Sequence, residues 1–440
     1  MNVLDIPQGY KKTEVGVIPE DWLVEPLENF TSFISYGFTN PMPTTSSGPY
    51  MITAKDIDNG QIQYKGARTT DTLAFNKLLT PKSKPKKGDL LLTKDGTLGR
   101  LALVDDQLIC INQSVAILRP NHKIVAQFFK LLLESPLYQE RMFDDAGGST
   151  IKHIYITIVN KMPLGLPANH KEQTLIATAL SDVDNLISEL EKLITKKQAI
   201  KTATMQQLLT GKTRLPQFAL REDGTKKGYK QSELGEIPED WEVKCIKDIG
   251  FVDPENLSST TSPDYEFNYI SLEQINMGIL LSTTKYTFAT APSRARRVLD
   301  CDDVLISTVR PNLMSHYIVQ QEVKDLVCST GFSVVRCVKE QLCSGYLYQH
   351  LFSTVINNQI EMLISGSNYP AINSTDVRNL KIQLGSIAEQ TAIATILFDM
   401  DSEIQALKKR LNKTRQIKQG MMQELLTGKT RLVQPEARGV

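Results

Sequence analysis

The sequence predicts an α+β protein with two tandem-duplicated mixed α/β domains, each followed by a long helix, the two helices pairing as an antiparallel coiled coil. Three observations carry this prediction. Two sequence elements occur twice at nearly one offset, an apolar heptad pattern closes each copy, and strand-like apolar runs fill the region between the elements. A chain of 440 residues has room for two such domains.

The two repeated elements open and close each copy. Residues 9–24 (GYKKTEVGVIPEDWLV) and 228–243 (GYKQSELGEIPEDWEV) share eleven of sixteen positions, including both tryptophans of the chain, Trp22 and Trp241. Residues 205–215 (MQQLLTGKTRL) and 422–432 (MQELLTGKTRL) share ten of eleven positions. The chain is therefore two copies of one unit of about 218 residues, far longer than a solenoid repeat.

A heptad pattern predicts a long helix at the end of each copy. Apolar residues recur in steps of 4, 3, 4, 3 and 4, no proline interrupts residues 172–210 or 389–427, and Gly211 and Gly428 follow as helix stops. The predicted seam residues are Ile176, Leu180, Val183, Ile187, Leu190 and Ile194, then Ile393, Leu397, Met400, Ile404, Leu407 and Leu411. Each helix would be roughly 60 Å long. Packing of the two helices on each other is favoured, and packing of each helix on its own domain is the alternative.

The middle regions have nearly equal lengths and different sequences. Residues 28–170 and 247–388 contain 143 and 142 residues, which indicates one fold with two different surfaces. Strands are predicted at 89–93, 115–119, 303–307 and 332–336, and short helices at 126–134 and 345–356. The predicted segments are a first domain (1–170), a helix (171–211), a linker (212–227), a second domain (228–388), a second helix (389–428) and a tail (429–440).

Clustered cations and small polar residues in both middles are typical of a nucleic-acid surface. Residues 82–100 carry a local net charge of +4, which suits phosphate contacts, although a solvated face is the plainer alternative. In the second copy, Arg310 and Asn312 have the side chains that read guanine and adenine edges. The candidate DNA-binding residues are Lys82, Lys84, Lys86, Lys87, Lys94, Thr97, Arg100, Ser149, Thr150, Lys152, Arg294, Arg296, Arg297, Arg310, Asn312, Ser367, Asn368 and Tyr369.

Several function classes lack support in the sequence. A net charge of +1 excludes a uniformly basic surface, so a nucleic-acid site must be local. No HExxH, GxSxG or CxxC motif occurs, and no catalytic or metal-ligating residue is predicted. The GKT triplets lack the glycine that a phosphate-binding loop needs, because Gln206 and Gln423 occupy its position. No apolar run near 18 residues and no secretory signal is visible, so we expect a cytoplasmic protein without a membrane span.

The ordered set of motifs resembles the specificity subunit of Type I restriction–modification systems. The match rests on the repeated IPEDW, on GDLLLTKDGTLGR and DVLISTVRP, on NQSVAILRP and CSTGFSVVR, and on EQTLIATALSDVD, EQTAIATILFDMD and the two LLTGKTRL ends. The resemblance covers nearly the whole chain. No single motif is specific, but their order and their repetition at one offset are.

The resemblance implies a non-catalytic subunit in a prokaryotic cytoplasm. Each middle would read one half of a bipartite double-stranded DNA site, and the helices would set the spacer and hold two copies of the adenine methyltransferase (modification) subunit. Two restriction subunits could join. This chain would bind no cofactor itself, since the modification subunit uses S-adenosylmethionine and the restriction subunit uses ATP and Mg²⁺. The alternatives are a DNA-binding scaffold or adaptor unconnected with methylation, and an enzyme with unrecognised motifs.

Overall fold

The protein folds into two compact units that cut across the linear order of its two copies. The computed structural model describes residues 6–144, 153–320, 324–364 and 370–433. Unit 1 comprises Met1–Glu191 and Arg410–Val440, and unit 2 comprises Lys192–Lys409. Each unit therefore contains one middle region and parts of both long helices.

Among its described residues, unit 1 has two larger sheets and three two-stranded sheets. Its strands are β1 (Tyr10–Thr13), β2 (Gly16–Pro19), β3 (Trp22–Pro26), β4 (Thr31–Tyr36), β5 (Thr45–Ile52), β6 (Ile57–Asp58), β7 (Gln61–Ile62), β8 (Arg68–Thr69), β9 (Leu90–Thr93), β10 (Leu101–Leu103), β11 (Ile109–Ile111), β12 (Val115–Pro120) and β13 (Pro163–Pro167). Its helices are α1 (Thr72–Leu78), α2 (Ala126–Glu134), α3 (Pro136–Asp144) and α4 (Ile156–Lys161), followed by the long α5 (His170–Leu209). An antiparallel sheet has the order β10-β9-β12-β4, and a second sheet has the order β11-β5-β8. Strand β9 is buried at every position, which is why its first three residues are all leucine, with no alternation of apolar and polar residues.

Unit 2 repeats this arrangement. Its strands are β14 (Tyr229–Ser232), β15 (Gly235–Pro238), β16 (Glu242–Cys245), β17 (Gly250–Val252), β18 (Glu266–Ile270), β19 (Ile275–Asn276), β20 (Ile279–Leu280), β21 (Thr284–Thr287), β22 (Ala295–Leu299), β23 (Val304–Ser307), β24 (Tyr317–Ile318), β25 (Leu326–Ser329), β26 (Phe332–Cys337) and β27 (Lys381–Leu384). Its helices are α6 (Ile246–Ile249), α7 (Ser344–His350), α8 (Thr354–Ile364) and α9 (Ser374–Asn379), followed by the long α10 (Ile387–Leu425). The order β17-β26-β23-β24 matches β4-β12-β9-β10, and β21-β18-β25-β22 matches β8-β5-β11 with one added strand. The predicted pair of mixed α/β domains is confirmed.

The predicted short helices are present with one difference. Helix α2 occupies the expected residues, whereas the helix expected at 345–356 is divided into α7 and α8. The division falls at Ser353, whose amide and hydroxyl both donate to the carbonyl oxygen of His350, at 2.9 and 2.6 Å. A serine that bonds back to the main chain in this way ends a helix locally, which residue spacing alone did not reveal.

Helices α5 and α10 run antiparallel in each unit. In unit 1, Asp184 pairs with Lys418 and Glu191 pairs with Arg415, both at 2.6 Å. In unit 2, Lys197 pairs with Glu403 at 2.7 Å and Lys201 pairs with Asp401 at 2.6 Å. The residue numbers of the partners decrease along α10 as those along α5 increase, which is the order of an antiparallel pair. The predicted antiparallel pairing is confirmed.

The seam residues face away from solvent along both helices. Those buried are Ile176, Leu180, Leu190, Ile194, Ile393, Leu397, Ile404 and Leu411, and those half-buried are Val183, Ile187, Met400 and Leu407. The first turns of each helix also join a domain core. Ile176 and Leu180 share the core of unit 1 with Met422 and Leu425, and the equivalent residues of α10 share the core of unit 2 with the end of α5. Helix-on-helix and helix-on-domain packing therefore occur together.

Each GKT triplet caps a helix. Gly211 and Gly428 follow α5 and α10 with φ of +70° and +71°, the left-handed conformation that glycine adopts at a helix end. An added Cβ at either glycine would lie 2.5 Å from ring carbons of Pro238 or Pro19, so glycine is also required by close approach. The GKT segments are therefore packed helix ends. Among the described residues, no helix is long and apolar enough to cross a membrane.

Candidate nucleic-acid interface

Strand β9 divides the cations predicted in residues 82–100 into two groups. Lys82, Lys84, Lys86 and Lys87 precede β9 and form the lysine group, whereas Lys94 and Arg100 follow it. Four residues of strand separate the two groups, or about 13 Å at 3.3 Å per residue. The sequence cluster is therefore not one patch, because the buried strand between its halves carries them to opposite ends.

Some of the side chains in the lysine group contact other side chains, and others do not. The Lys87 ammonium lies 2.8 Å from the Asp106 carboxylate, with both side chains largely exposed. The Lys84 ammonium lies 4.8 Å from the centre of the Phe75 ring. Lys82 and Lys86 are exposed and, among the described residues, form no ion pair. Exposed cations of this kind can approach phosphates, although the same exposure suits a solvated face.

The cations that follow β9 are held by carboxylates. Asp95 lies 2.7 Å from the Lys94 ammonium and 2.5 Å from His153 Nδ1, and Arg100 lies 3.0 Å from Asp58. Burial raises the pKa of Asp95, but hydrogen bonds from Lys94 and His153 lower it by more, so its pKa lies below the usual value. These ion pairs fix the shape of the loop, and a phosphate would have to replace a carboxylate to gain the cation.

Three segments of unit 1 meet at the end of β9 and form what we call tip 1 (residues 94–97, 112–114 and 153–154). The Lys94 amide donates to the Ser114 carbonyl at 2.9 Å, and the Ile154 amide donates to the Lys94 carbonyl at 3.0 Å. Thr97 adds a hydrogen bond from its hydroxyl to the Ala54 carbonyl at 3.1 Å. Tip 1 is thus a hydrogen-bonded surface rather than a set of free loops.

Unit 2 builds the same framework from different residues, here called tip 2 (residues 308–313, 329–331 and 371–372). The Thr308 amide donates to the Gly331 carbonyl and the Ile372 amide donates to the Thr308 carbonyl, both at 2.9 Å. These two bonds match those of tip 1 atom for atom. Arg310 and Asn312 project from tip 2 with exposed side chains, and the Arg310 amide donates to Pro370 at 2.9 Å.

The three upstream arginines have different surroundings. Arg294 is exposed and belongs beside tip 2, since its carbonyl accepts the Thr330 amide at 2.9 Å. The Arg296 guanidinium lies 4.8 Å from the centre of the Phe288 ring. The Arg297 side chain is only 15% exposed and lies 2.9 Å from Asp253, so its charge is committed within the fold. Arg294 is the arginine best placed for a ligand.

The residues of the predicted polar loops lie outside the described residues. They comprise Ser149, Thr150 and Lys152 in the first copy and Ser367, Asn368 and Tyr369 in the second. Their described neighbours, His153 and Pro370, contact tip 1 and tip 2 respectively. A DNA role for these six residues stays a prediction.

Two residues that were not among the predicted DNA-binding residues also belong to the candidate site. Gln113 in tip 1 and Thr330 in tip 2 occupy matching turns, between β11 and β12 and between β25 and β26. A surface cleft of about 400 Å³ opens beside Gln113, with Phe38 and Met42 in its lining and Arg68 at its edge. The offset of 217 between NQSV and STGF pairs the two turns, but only the sheet order shows that they lie beside the other loops.

A buried ion pair supports each sheet at the end opposite the tip. Asp89 forms two hydrogen bonds with Arg119, both at 2.7 Å, and Asp303 forms two with Arg336 at 2.9 and 2.8 Å. Both carboxylates are buried. Neither pair lies at a tip, so these residues serve the framework. Within the described part of the chain, no group of three or more His, Cys, Asp and Glu residues could hold a metal ion.

The duplicated α+β units, their matching tips and their paired helices define a two-domain DNA-recognition protein. The Type I restriction modification DNA specificity domain matches residues 43–202 and 238–416. The chain belongs to this family, as the specificity subunit of a type I restriction–modification system with two target-recognition domains.

The relatives and the solved structures match this chain over nearly its whole length. The chain is 27% identical over 443 residues to the putative type I restriction enzyme MjaX specificity subunit of Methanocaldococcus jannaschii, covering 97% of each chain. It is 25% identical over 444 residues to the MjaVIII specificity subunit of the same organism, covering 97% of this chain and 96% of the other. The fold resembles that of the Type-I restriction-modification S subunit from M. genitalium, with a TM-score of 0.60, 16% identity and coverage of 96% and 98%. A chain from a study of complex assembly and conformational transition of the type I R-M system has a TM-score of 0.54, 15% identity and coverage of 94% and 99%.

Proposed function

We propose that each unit reads one half of a bipartite double-stranded DNA sequence through its tip. The observation that carries this proposal is that one hydrogen-bonded framework occurs twice with different exposed side chains. Tip 1 presents Thr97 and Gln113, whereas tip 2 presents Arg310, Asn312 and Thr330. Polar side chains held on a rigid framework are what direct recognition of base edges requires.

The paired helices are the proposed binding sites for two modification subunits. Each unit contains one α5–α10 pair that ends in the same capped LLTGKTRL segment, taken from the other copy. Two equivalent surfaces suit two copies of one partner. Two restriction subunits could join the same assembly.

Catalysis is assigned to the partners. Membership in a specificity-domain family and the lack of catalytic motifs in the sequence support a non-catalytic role. In this proposal the modification subunit supplies S-adenosylmethionine chemistry, the restriction subunit uses ATP and Mg²⁺, and the assembly works in a prokaryotic cytoplasm.

The long helices are also proposed to set the spacer between the half-sites. Insertion of four residues into both α5 and α10 adds about 6 Å. At about 3.4 Å per base pair, the unread spacer should lengthen by roughly one or two base pairs. An unchanged spacer in such a variant would contradict this part of the proposal.

Reconstitution with a modification subunit tests the whole assignment. The full chain and that subunit together should methylate adenine in one bipartite motif, whereas either protein alone should not. Methylation by the purified chain alone with S-adenosylmethionine would show that the chain is an enzyme. Stable, sequence-specific DNA binding without any methylation that depends on the chain would favour the scaffold alternative.

A further inference from the structure

One exposed side chain stands at the apex of the same rigid turn in each unit. These residues are Gln113 in tip 1 and Thr330 in tip 2. We propose that Gln113 and Thr330 are specificity-determining residues, each contacting one base pair in the half-site of its own unit. This inference rests on the proposed function, and it assigns a base-reading role to one position in the NQSVAILRP segment and one in the CSTGFSVVR segment.

The main chain around Gln113 is fixed by side chains and by neighbouring segments. Its amide donates to the Phe38 carbonyl at 2.9 Å. Asn112 Oδ1 accepts the Ser114 amide at 3.2 Å and the Ser114 hydroxyl at 2.6 Å. The same hydroxyl oxygen accepts the Ala54 amide at 3.0 Å. The Asn112 side-chain oxygen and the Ser114 hydroxyl therefore both help to hold the turn.

In unit 2, the turn around Thr330 is also held by hydrogen bonds, but from different residues. The Thr330 amide donates to the Arg294 carbonyl at 2.9 Å, and the Gly331 amide donates to Ser329 Oγ at 3.1 Å. The Gly331 carbonyl accepts the Thr308 amide, as the Ser114 carbonyl accepts the Lys94 amide. The two turns share the bond to the loop that follows β9 or β23, whereas the apex amides donate to different segments, and none of the three turn residues is identical.

The side chains of Gln113 and Thr330 are available to contact a ligand. Gln113 and Thr330 are exposed, and neither side chain has a hydrogen bond to another described residue. By contrast, Lys94 and Arg100 of unit 1 are engaged with Asp95 and Asp58. Exposed polar residues are common on mobile loops, where exposure alone does not indicate a binding role. Because each turn is held from both sides, its main chain loses little conformational freedom on binding, which suits recognition.

The two side chains differ in what they can recognise. The Gln113 amide can donate and accept at once, which matches the N6 and N7 edge of adenine in the major groove. The Thr330 hydroxyl can make one hydrogen bond to several bases, and its methyl group can contact the thymine methyl. We therefore expect strong preference for an A·T pair at the Gln113 position and weaker preference at the Thr330 position.

Selection from a library tests the assignment. The full chain, its Gln113→Ala, Gln113→Thr and Thr330→Ala variants, and a Gln107→Ala control are each used to enrich double-stranded DNA carrying 40 randomised base pairs. Gln107 is a matched control, because it is an exposed glutamine on the turn before β11, away from tip 1. Thermal unfolding of each variant checks that the surface change leaves the fold intact.

Each outcome decides between defined alternatives. The proposal predicts that Gln113→Ala lowers discrimination at a single base pair of one half-site about 10- to 100-fold and leaves the other half-site unchanged. Thr330→Ala should relax one position in the opposite half-site, and Gln107→Ala should change nothing. A wild-type motif that survives in every variant, or a weakening equal for all sequences, would overturn this inference alone. A wild-type chain that enriches no motif would overturn the proposed function together with it.

Discussion

Arg431, beyond the end of α10, holds Glu172 in the first turn of α5. The Nε–Oε1 and Nη2–Oε2 distances are 2.6 and 2.8 Å, and 259 residues separate the pair. The same guanidinium donates to Asp21, and this hydrogen bond lowers the pKa of the Asp21 carboxyl. In unit 2, Arg214 repeats the arrangement with Glu389 and Asp240. Each unit is therefore closed by the helix end of the other sequence copy.

Removing the Arg431 guanidinium should destabilise unit 1. The Glu172 side chain is 1% exposed, so Arg431→Ala leaves a buried carboxylate without its cation. Loss of one partner of a buried pair typically costs about 3–5 kcal/mol. Hydrogen exchange in urea should show lower protection in unit 1, and Arg214→Ala should do the same for unit 2.

The exposed neighbour provides the control for this prediction. Lys429→Ala removes one positive charge from the same segment without breaking a buried contact. It should change the free energy of unfolding by less than about 0.5 kcal/mol. Equal protection in Arg431→Ala and Lys429→Ala would show that the pair contributes nothing to closing the unit.

The exchange of helix ends predicts that a cut chain stays together. A protease site placed at the exposed turn around Gly224 would divide the two sequence copies. The first fragment supplies Met205 and Leu208 to the core of unit 2, and the second supplies Met422 and Leu425 to the core of unit 1. Both fragments should elute as one species in size-exclusion chromatography and separate only in denaturant. Separation under native conditions would contradict the exchange.

Two buried histidines should make unit 2 sensitive to acid. His316 and His350 are fully buried, and burial lowers their pKa values to about 4 and about 3. The unfolded chain takes up these protons near the ordinary pKa of about 6.5, so their contribution to stability is complete above that pH. As the pH falls from about 6.5 towards 4, each histidine should remove about 1.4 kcal/mol per pH unit.

A substitution separates this effect from general acid unfolding. Neither ring nitrogen of His350 has a hydrogen-bond partner among the described residues, so His350→Phe removes the titration without breaking a bond. The variant should lose about half of the dependence of stability on pH in this range, measured by urea unfolding of unit 2. A His350→Phe curve parallel to that of the wild type would contradict the assignment.

Replacement of Arg310 by glycine should raise the stability of unit 2 and weaken its recognition of DNA. Its φ of +50° lies in the left-handed region, where a residue with a side chain costs about 1–2 kcal/mol relative to the ordinary conformation. Arg310→Gly should therefore raise the stability of unit 2 by about 1 kcal/mol, whereas Arg310→Ala should leave it nearly unchanged. Both variants should relax one base position in one half-site. If both variants instead bound all DNA sequences more weakly by the same factor, Arg310 would be a phosphate contact and not a base contact.

The lysine group should contribute to DNA affinity through phosphates. If Lys86 contacts a phosphate, Lys86→Ala should flatten the dependence of log binding constant on log salt by about one ion. Lys87→Ala should have a smaller effect, because Lys87 must first leave Asp106. Titrations at several salt concentrations measure both slopes. Unchanged slopes in both variants would mean that this group is a solvated face.

The sequence predicted the architecture well because duplication and periodicity are written in its order. Repeated motifs and heptad steps predicted two domains and a helix pair, and buried strands such as β9 were visible as runs of apolar residues. The sequence could not show that Arg431 meets Glu172, since no local pattern encodes a contact between opposite ends of a chain. It also grouped Lys87 with Lys94, because a count of charges ignores that a buried strand separates them. Gln113 was missed because one exposed polar residue has no signal until its neighbours in space are known.

The decisive measurement is a single-molecule methylation map of the source cell's DNA, made with and without the gene for this chain. We expect N6-methyladenine at one split motif to disappear when the gene is deleted and to return when it is restored. A restored gene carrying Gln113→Ala should alter one half of that motif. An identical map with and without the gene, where the gene-carrying cells express both the chain and a modification subunit, would contradict the assignment of this chain as the specificity subunit.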